Sequence, residues 1–370
     1  MKIDRTKIAD RVRIAFDEHF VASAELGASV CVMHRGEEVV QCAAGFADRE
    51  KTRAWTKSTP VLVWSTSKGL ASACLLEALQ RTKTPLDTAV SEIWPDFGKN
   101  GKINITLAKL MSHQAGLAAL DSPVDGTDRE AVCAAICDQK PLWSSGHGYH
   151  PRTLGYIFDE LLLRLVDCDV AEMWRRTFSG PLGLDAWFGV PEEKVINVAE
   201  MVPGRPDKAS EDPALAAMRD THSLTARAFV SPRGLSSVSI MNQPETLRMA
   251  FPSFGGVATA EALARFYAEL LKKRYLREMT TRIVSGHDQV LLTETAFSAG
   301  FMMDPLGADG AKTRSIFGNG LRAFGHPGAG GSVAFVDPES GISFAYVMNQ
   351  MSSGTLPNER ARNLVRAVFE

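Results

Sequence analysis

Apolar positions recur at helical spacing near the start of the chain, where Ile8, Val12, Ala15, Phe16 and then His19 or Phe20 predict an amphipathic helix. The period then changes. Ala28 to Met33 and Glu38 to Ala43 are β-rich runs separated by His34-Arg35-Gly36-Glu37, a hairpin signal. Leu70, Ala71, Ala73, Cys74, Leu75, Leu76 and Leu79 predict a helix whose first turn begins at Ser65 and whose body is apolar enough to be buried. Thr84-Pro85-Leu86-Asp87 breaks that pattern, and from there to about residue 250 the chain reads as short helices and long loops. The clearest helices in this stretch are 105–111 and 156–166, and segments 202–213 and 231–244 read as extended loops. Strand patterns return at 331–336 and 342–348 around the turn Asp337-Pro338-Glu339-Ser340-Gly341. A closing helix at 358–369 carries Ala361, Leu364, Val365 and Val368 on one face.

Strands at both ends with helices between them imply an α+β architecture. The expectation is an antiparallel sheet flanked by helices, built discontinuously from residues 1–84 and 246–370, with residues 85–245 forming an inserted, mostly helical domain. A ligand is expected in the cleft between the two.

Composition narrows the picture by exclusion. The 370 residues are 45% hydrophobic and 23% charged with a formal net charge of −2, so no electrostatic case exists for nucleic acid or an anionic membrane as partner. Apolar stretches stop well short of a membrane span. The start, Met1 to Arg11, is charged and has no apolar signal core, which leads to the expectation of a cytoplasmic protein. Cys31, Cys42, Cys74, Cys133, Cys137 and Cys168 show no C-x-x-C and no histidine at ligand spacing, so they read as buried small hydrophobes, and no metal is expected. The 13 methionines form no stripe and read as core filler.

Candidate chemistry concentrates in three loops. Ser65 and Lys68 stand three apart, so in a helix the amine reaches back to the hydroxyl. The amine accepts a proton only if burial or a nearby cation depresses its pKa. About one such spacing is expected by chance, and by spacing alone the pair reads as a capping serine followed by a surface lysine. Ser145-Gly146-His147-Gly148-Tyr149-His150-Pro151 is dense in proton-carrying groups, and a phenol beside two cations would ionise more easily and act as a base. Phe324 to Ser332 is glycine-rich and precedes a strand, so its N–H groups can line an oxyanion site. Two other segments mislead. Ala296-Phe297-Ser298-Ala299-Gly300 lacks the first glycine of a nucleophile elbow. Ser112-His113 is adjacency without triad geometry and reads as a helix ending at Gly116.

Taken in order, Ser65-Thr66-Ser67-Lys68, Tyr149-His150-Pro151 and His326-Pro327-Gly328 resemble the penicillin-recognising serine hydrolases, specifically the class C β-lactamase-like group that includes the family VIII carboxylesterases. Pro85-Leu86-Asp87 with Trp94-Pro95, Leu110 to Leu117, Gly180 to Asp185 and Gly325 to Ser332 look like further landmarks, so the resemblance covers roughly residues 20–350. It implies a β-lactamase/transpeptidase-like fold. Ser65 would be the acylated nucleophile, Lys68 its proton partner and Tyr149 the second base. The oxyanion hole would be the backbone N–H groups of Ser65 and Ala329. His150, His326, Pro327 and Gly328 would contact substrate, and Trp64 would shape the approach to the helix.

Departures from the pattern bear on the substrate. Pro151 stands where β-lactamases usually carry an asparagine, and His326-Pro327 replaces Lys-Thr. Each charge-assisted hydrogen bond removed in this way is worth about 1.5–3 kcal/mol, or one to two orders of magnitude in affinity. Esters need neither interaction. The expectation is a serine carboxylesterase acting on short acyl esters without a cofactor, its partner a small-molecule ester, with self-association left open. Amidase, D-aminopeptidase, weak β-lactamase and acyltransferase activities are the alternatives within the fold, and a catalytically silent scaffold is the alternative outside enzymology.

Overall fold

The hairpin at the start of the chain forms as β1 (Gly27–His34) and β2 (Glu37–Gly45). Arg35 and Gly36 between them are both left-handed (φ +54° and +82°), the two-residue turn whose twist matches the flanking strands. The computed structural model describes residues 3–22, 24–204 and 212–370, so most of the loop expected at 202–213 lies outside the described residues. Six further strands complete the large sheet: β3 (Val284–His287), β4 (Glu294–Phe297), β5 (Met302–Met303), β6 (Phe324–Pro327), β7 (Val333–Asp337) and β8 (Ile342–Met348). The order is β2-β1-β8-β7-β6-β5-β4-β3, with antiparallel neighbours throughout.

Every residue of β7 and β8 is buried, because helices cover both faces of the sheet. Phe335 of β7 pairs with Gly325 and stacks 6.2 Å from Phe369 of the closing helix. Phe324, one residue out of phase and so on the opposite face, lies 6.5 Å from the Tyr267 ring. Tyr267 belongs to the helix Ala260–Leu270, which packs on β1, β7 and β8. The first helix, α1 (Arg5–Val21), lies against the closing helix Glu359–Phe369, where the Arg11 guanidinium donates to the Ala367 carbonyl at 2.8 Å.

The central helix, α2 (Ser67–Thr82), runs between the helix Thr153–Val166 and β6. Leu70, Leu75, Leu76 and Leu79 are at most 4% exposed. Each such burial is worth about 1.5–3 kcal/mol. Between residues 85 and 245 the described chain is short helices and loops, with one exception. Ala186–Trp187 pairs with Val257–Ala258, which also pairs with Val61–Leu62, forming a small sheet just ahead of Ser65. The helix expected at 105–111 is Leu107–Met111 with Thr106 as its cap. It ends at Met111 instead of Gly116, since His113 and Gly116 both turn left-handed (φ +64° and +70°). No helix among the described residues is long and apolar enough to cross a membrane.

Candidate active site

Ser65 sits one step ahead of where its pattern placed it. Trp64–Thr66 is a single 3₁₀ turn preceding α2, and Trp64 itself is left-handed (φ +48°). The turn is pinned from behind: Ser67 Oγ donates to the Trp64 carbonyl and accepts the Gly256 N–H at 2.8 Å. Lys68, on the first turn of α2, is 1% exposed. Its Nζ lies 3.2 Å from Ser65 Oγ, 2.6 Å from the Pro151 carbonyl and 2.8 Å from the Ser253 carbonyl. Burial, and secondarily the Arg152 guanidinium, hold the Lys68 pKa well below its ordinary value. A neutral amine has only two N–H groups, and the two carbonyls, which can only accept, take both. The lone pair is then left for the Ser65 hydroxyl, the arrangement a general base requires.

Tyr149 is 4% exposed, and its ring lies 4.8 Å below the Lys68 ammonium position. Its hydroxyl makes no hydrogen bond of normal geometry among the described residues. Burial raises its pKa, nearby Ser65 opposes that, and the Asp288 carboxylate adds to the rise. Two cations beside the phenol are not supplied by its own loop: burial lowers the pKa of His147 and pushes that of His150 down to about 3, and Tyr149 rests as a neutral phenol.

His150, expected at the substrate, is instead a fully buried scaffold residue. Its Nε2 accepts the Leu117 N–H at 2.8 Å, which leaves Nδ1 protonated and donating to the Gly148 carbonyl at 2.7 Å. Both ring nitrogens serve the backbone and none faces the cleft. His113, set aside on sequence grounds, belongs here too: its Nδ1 accepts the His150 N–H at 3.0 Å and its ring lies 5.0 Å from that of Tyr149. Asp288 has no motif to announce it. Fully buried in the β3–β4 turn, its carboxylate accepts the N–H groups of Tyr149 (3.0 Å), Val290 (2.9 Å) and Leu291 (2.8 Å) and the Thr295 hydroxyl (3.1 Å). Thr295 in turn accepts from His147 Nε2 at 2.7 Å. The tyrosine loop is thereby fixed to the sheet.

The third loop follows β6. Gly328, expected at the substrate, has both backbone groups engaged within its own loop. Its N–H donates to the Ser332 carbonyl at 2.7 Å, and a Cβ there would lie 2.2 Å from the Val63 carbonyl oxygen. Its bareness lets the loop close on the Ser65 turn, where Ser332 Oγ donates to the same Val63 carbonyl at 2.9 Å. The N–H groups of Ser65 and Ala329 have no backbone acceptor among the described residues. His326 is 1% exposed, with a pKa pushed down to about 3 by burial and by Lys68.

Ser65, Tyr149, His326, Pro327 and Ala329 line one cavity of about 250 Å³, whose apolar wall includes Leu215, Phe229 and Met351. Among the described residues, none that lines it carries a formal charge. Larger grooves lie elsewhere, one of about 1030 Å³ beside α1, but they contain none of the Ser65, Lys68 and Tyr149 group. Ser298, in the near-miss elbow, is fully buried.

The chain resembles known proteins over nearly its whole length. The Beta-lactamase family profile matches residues 15–369. The chain is 28% identical over 368 residues to the esterase/beta-lactamase LipL of Mycobacterium tuberculosis, covering 94% of this chain and 82% of that protein. A crystal structure of a family VIII carboxylesterase superposes with a TM-score of 0.86 at 26% identity, covering 100% of this chain and 98% of that one. A penicillin-binding protein homologue from Caulobacter crescentus gives 0.83 at 30% identity, with 99% and 98% covered.

Proposed function

The chain belongs to the beta-lactamase family of hydrolases, and from that premise we propose that it is a serine carboxylesterase cleaving short, uncharged acyl esters through an acyl-enzyme on Ser65. The observation that carries this reading is the cleft itself: a serine hydroxyl 3.2 Å from a buried, depressed lysine, opening into an apolar cavity with no charged lining residue among the described residues. A β-lactam brings a carboxylate, and no described residue of this lining offers it an ion pair.

In acylation the Lys68 lone pair takes the Ser65 proton as Oγ attacks the ester carbonyl. The developing oxyanion accepts from the N–H groups of Ser65 and Ala329, preorganised because no other acceptor competes for them. Tyr149, held neutral by burial, gives its proton to the departing alkoxide and recovers one from Lys68. Hydrolysis of the acyl-enzyme then regenerates Ser65. The raised Tyr149 pKa supports Lys68, not the phenol, as the base of the first half-reaction.

Mass spectrometry after treatment with a fluorophosphonate tests the reading. The adduct is expected on Ser65, and Ser65→Ala is expected to abolish p-nitrophenyl butyrate turnover. Labelling at another residue, or nitrocefin turnover matching that of the ester, would sink it.

A further inference from the structure

His326 is held in one tautomer by its own neighbour. Its Nδ1 lies 2.7 Å from the Pro327 carbonyl oxygen, which can only accept, so Nδ1 carries the hydrogen. Nε2 is then a bare lone pair. It is buried and has no hydrogen-bond partner among the described residues. The Tyr149 hydroxyl makes no hydrogen bond of normal geometry among the described residues, with Ser65 its near neighbour, and the Tyr149 and His326 rings lie 5.8 Å apart at 33°. Both border the cavity into which Ser65 opens. An unpartnered acceptor and a hydroxyl without a hydrogen bond of normal geometry, on two residues that line one small cavity, describe a place for a molecule carrying O–H groups.

We propose that His326 Nε2 binds and orients the hydrolytic water of deacylation, accepting a hydrogen bond from one of its O–H groups while Tyr149 engages the other side. This rests on the esterase reading. In the step, the water oxygen bonds to the acyl carbon and the carbonyl π pair moves onto the oxyanion. The water's proton passes to the Tyr149–Lys68 pair. When the tetrahedral intermediate collapses, the bond from carbon to Ser65 Oγ breaks, Oγ recovers that proton, and the carboxylic acid leaves. His326 keeps its own proton throughout, because its part is to fix the angle of attack. A lysine at this place would present donors only and could not accept from water.

Stopped-flow kinetics of the full chain with p-nitrophenyl butyrate, paired with intact-mass measurement of the acyl-enzyme, test the assignment. In His326→Leu the ratio of deacylation to acylation should fall at least tenfold, with the butyryl adduct accumulating on Ser65. His326→Gln, whose amide oxygen reaches about as far as Nε2, should restore most of that ratio, whereas His326→Asn, with a shorter reach, should behave as the leucine variant does. Should the leucine variant fail to fold, the contrast between glutamine and asparagine carries the test. Equal partitioning in glutamine and asparagine variants, or a leucine variant with an unchanged ratio, overturns the proposal while leaving the esterase reading intact. A wild-type chain that forms no Ser65 adduct overturns both.

Discussion

Adding one methyl group at position 328 should cripple the site without touching any reacting atom. Gly328 has φ −119°, so alanine suffers no backbone strain there and the whole effect is steric. The new Cβ would lie 2.2 Å from the Val63 carbonyl oxygen, 2.3 Å from Ser332 Oγ and 3.0 Å from Thr66 Oγ1. Ordinary contact begins at 3.4 Å, so against the first of these the loop must retreat by about 1.2 Å (3.4 − 2.2). That retreat carries the adjacent Ala329 N–H away from Ser65. Losing one such donor costs about 10²–10³ in kcat, about 2.7–4 kcal/mol of transition-state stabilisation. The Ser332 to Val63 hydrogen bond goes with it, adding about 0.5–1.5 kcal/mol of lost stability to the 1–3 kcal/mol typical of overpacking. Steady-state kinetics of Gly328→Ala on p-nitrophenyl butyrate, with a urea melt alongside, should show kcat down at least a hundredfold in a folded protein. A kcat within threefold of wild type would refute the reasoning, since the loop would then not need to approach the Ser65 turn this closely.

Two further predictions address the supports. Asp288→Ala strips the acceptor from three buried N–H groups, including that of Tyr149, and should cost about 3–5 kcal/mol in a urea melt, with Asp288→Asn recovering part; a loss under about 1 kcal/mol would contradict this role. Asp159, buried on the helix Thr153–Val166, has its pKa raised from 3.8 to about 7 by burial, against the pull of the Val170 N–H at 2.9 Å. The fold therefore prefers the protonated acid: this stabilisation is fully present below about pH 4 and is lost as pH rises through about 7. Asp159→Asn keeps an oxygen for Val170 and removes the titration, so its stability relative to wild type should grow from near zero at pH 4 to about 4 kcal/mol at pH 8. Parallel stability profiles across that range would count against it.

What could be read from the chain divides along physical lines. Elements whose own residues bear a period were legible: α1, α2, the β1–β2 hairpin, β8 and the closing helix all stand within a few residues of the pattern. Strands β3 to β6 were not, because each has at most four residues and their pairing is decided across the sheet, not along the chain. In the site, Ser65, Lys68 and Tyr149 could be singled out by type and spacing. Their protonation could not, since it follows from burial, which also lowers the pKa of both histidines in the phenol's own loop. Asp288 escaped notice for a similar reason: its partners are backbone N–H groups, which every residue but proline has and no sequence displays. As letters, a residue that serves the backbone, as His150 does, and a substrate contact look alike.

The third strand of the large sheet, β8, lies far along the chain from its neighbour β1. Ala28 pairs with Met348, and the Ser65 turn is braced by Ser332, 269 residues beyond Val63. Until residues 342–348 have emerged, the β1–β2 hairpin has an open hydrogen-bonding edge and lacks its partner strand. Such long-range pairing makes folding slow and leaves that edge free to seek other strands in the meantime. Early termination is therefore all-or-nothing for this protein: a chain ending before residue 342 lacks the spine of its sheet, and no partially active fragment is expected from its N-terminal part.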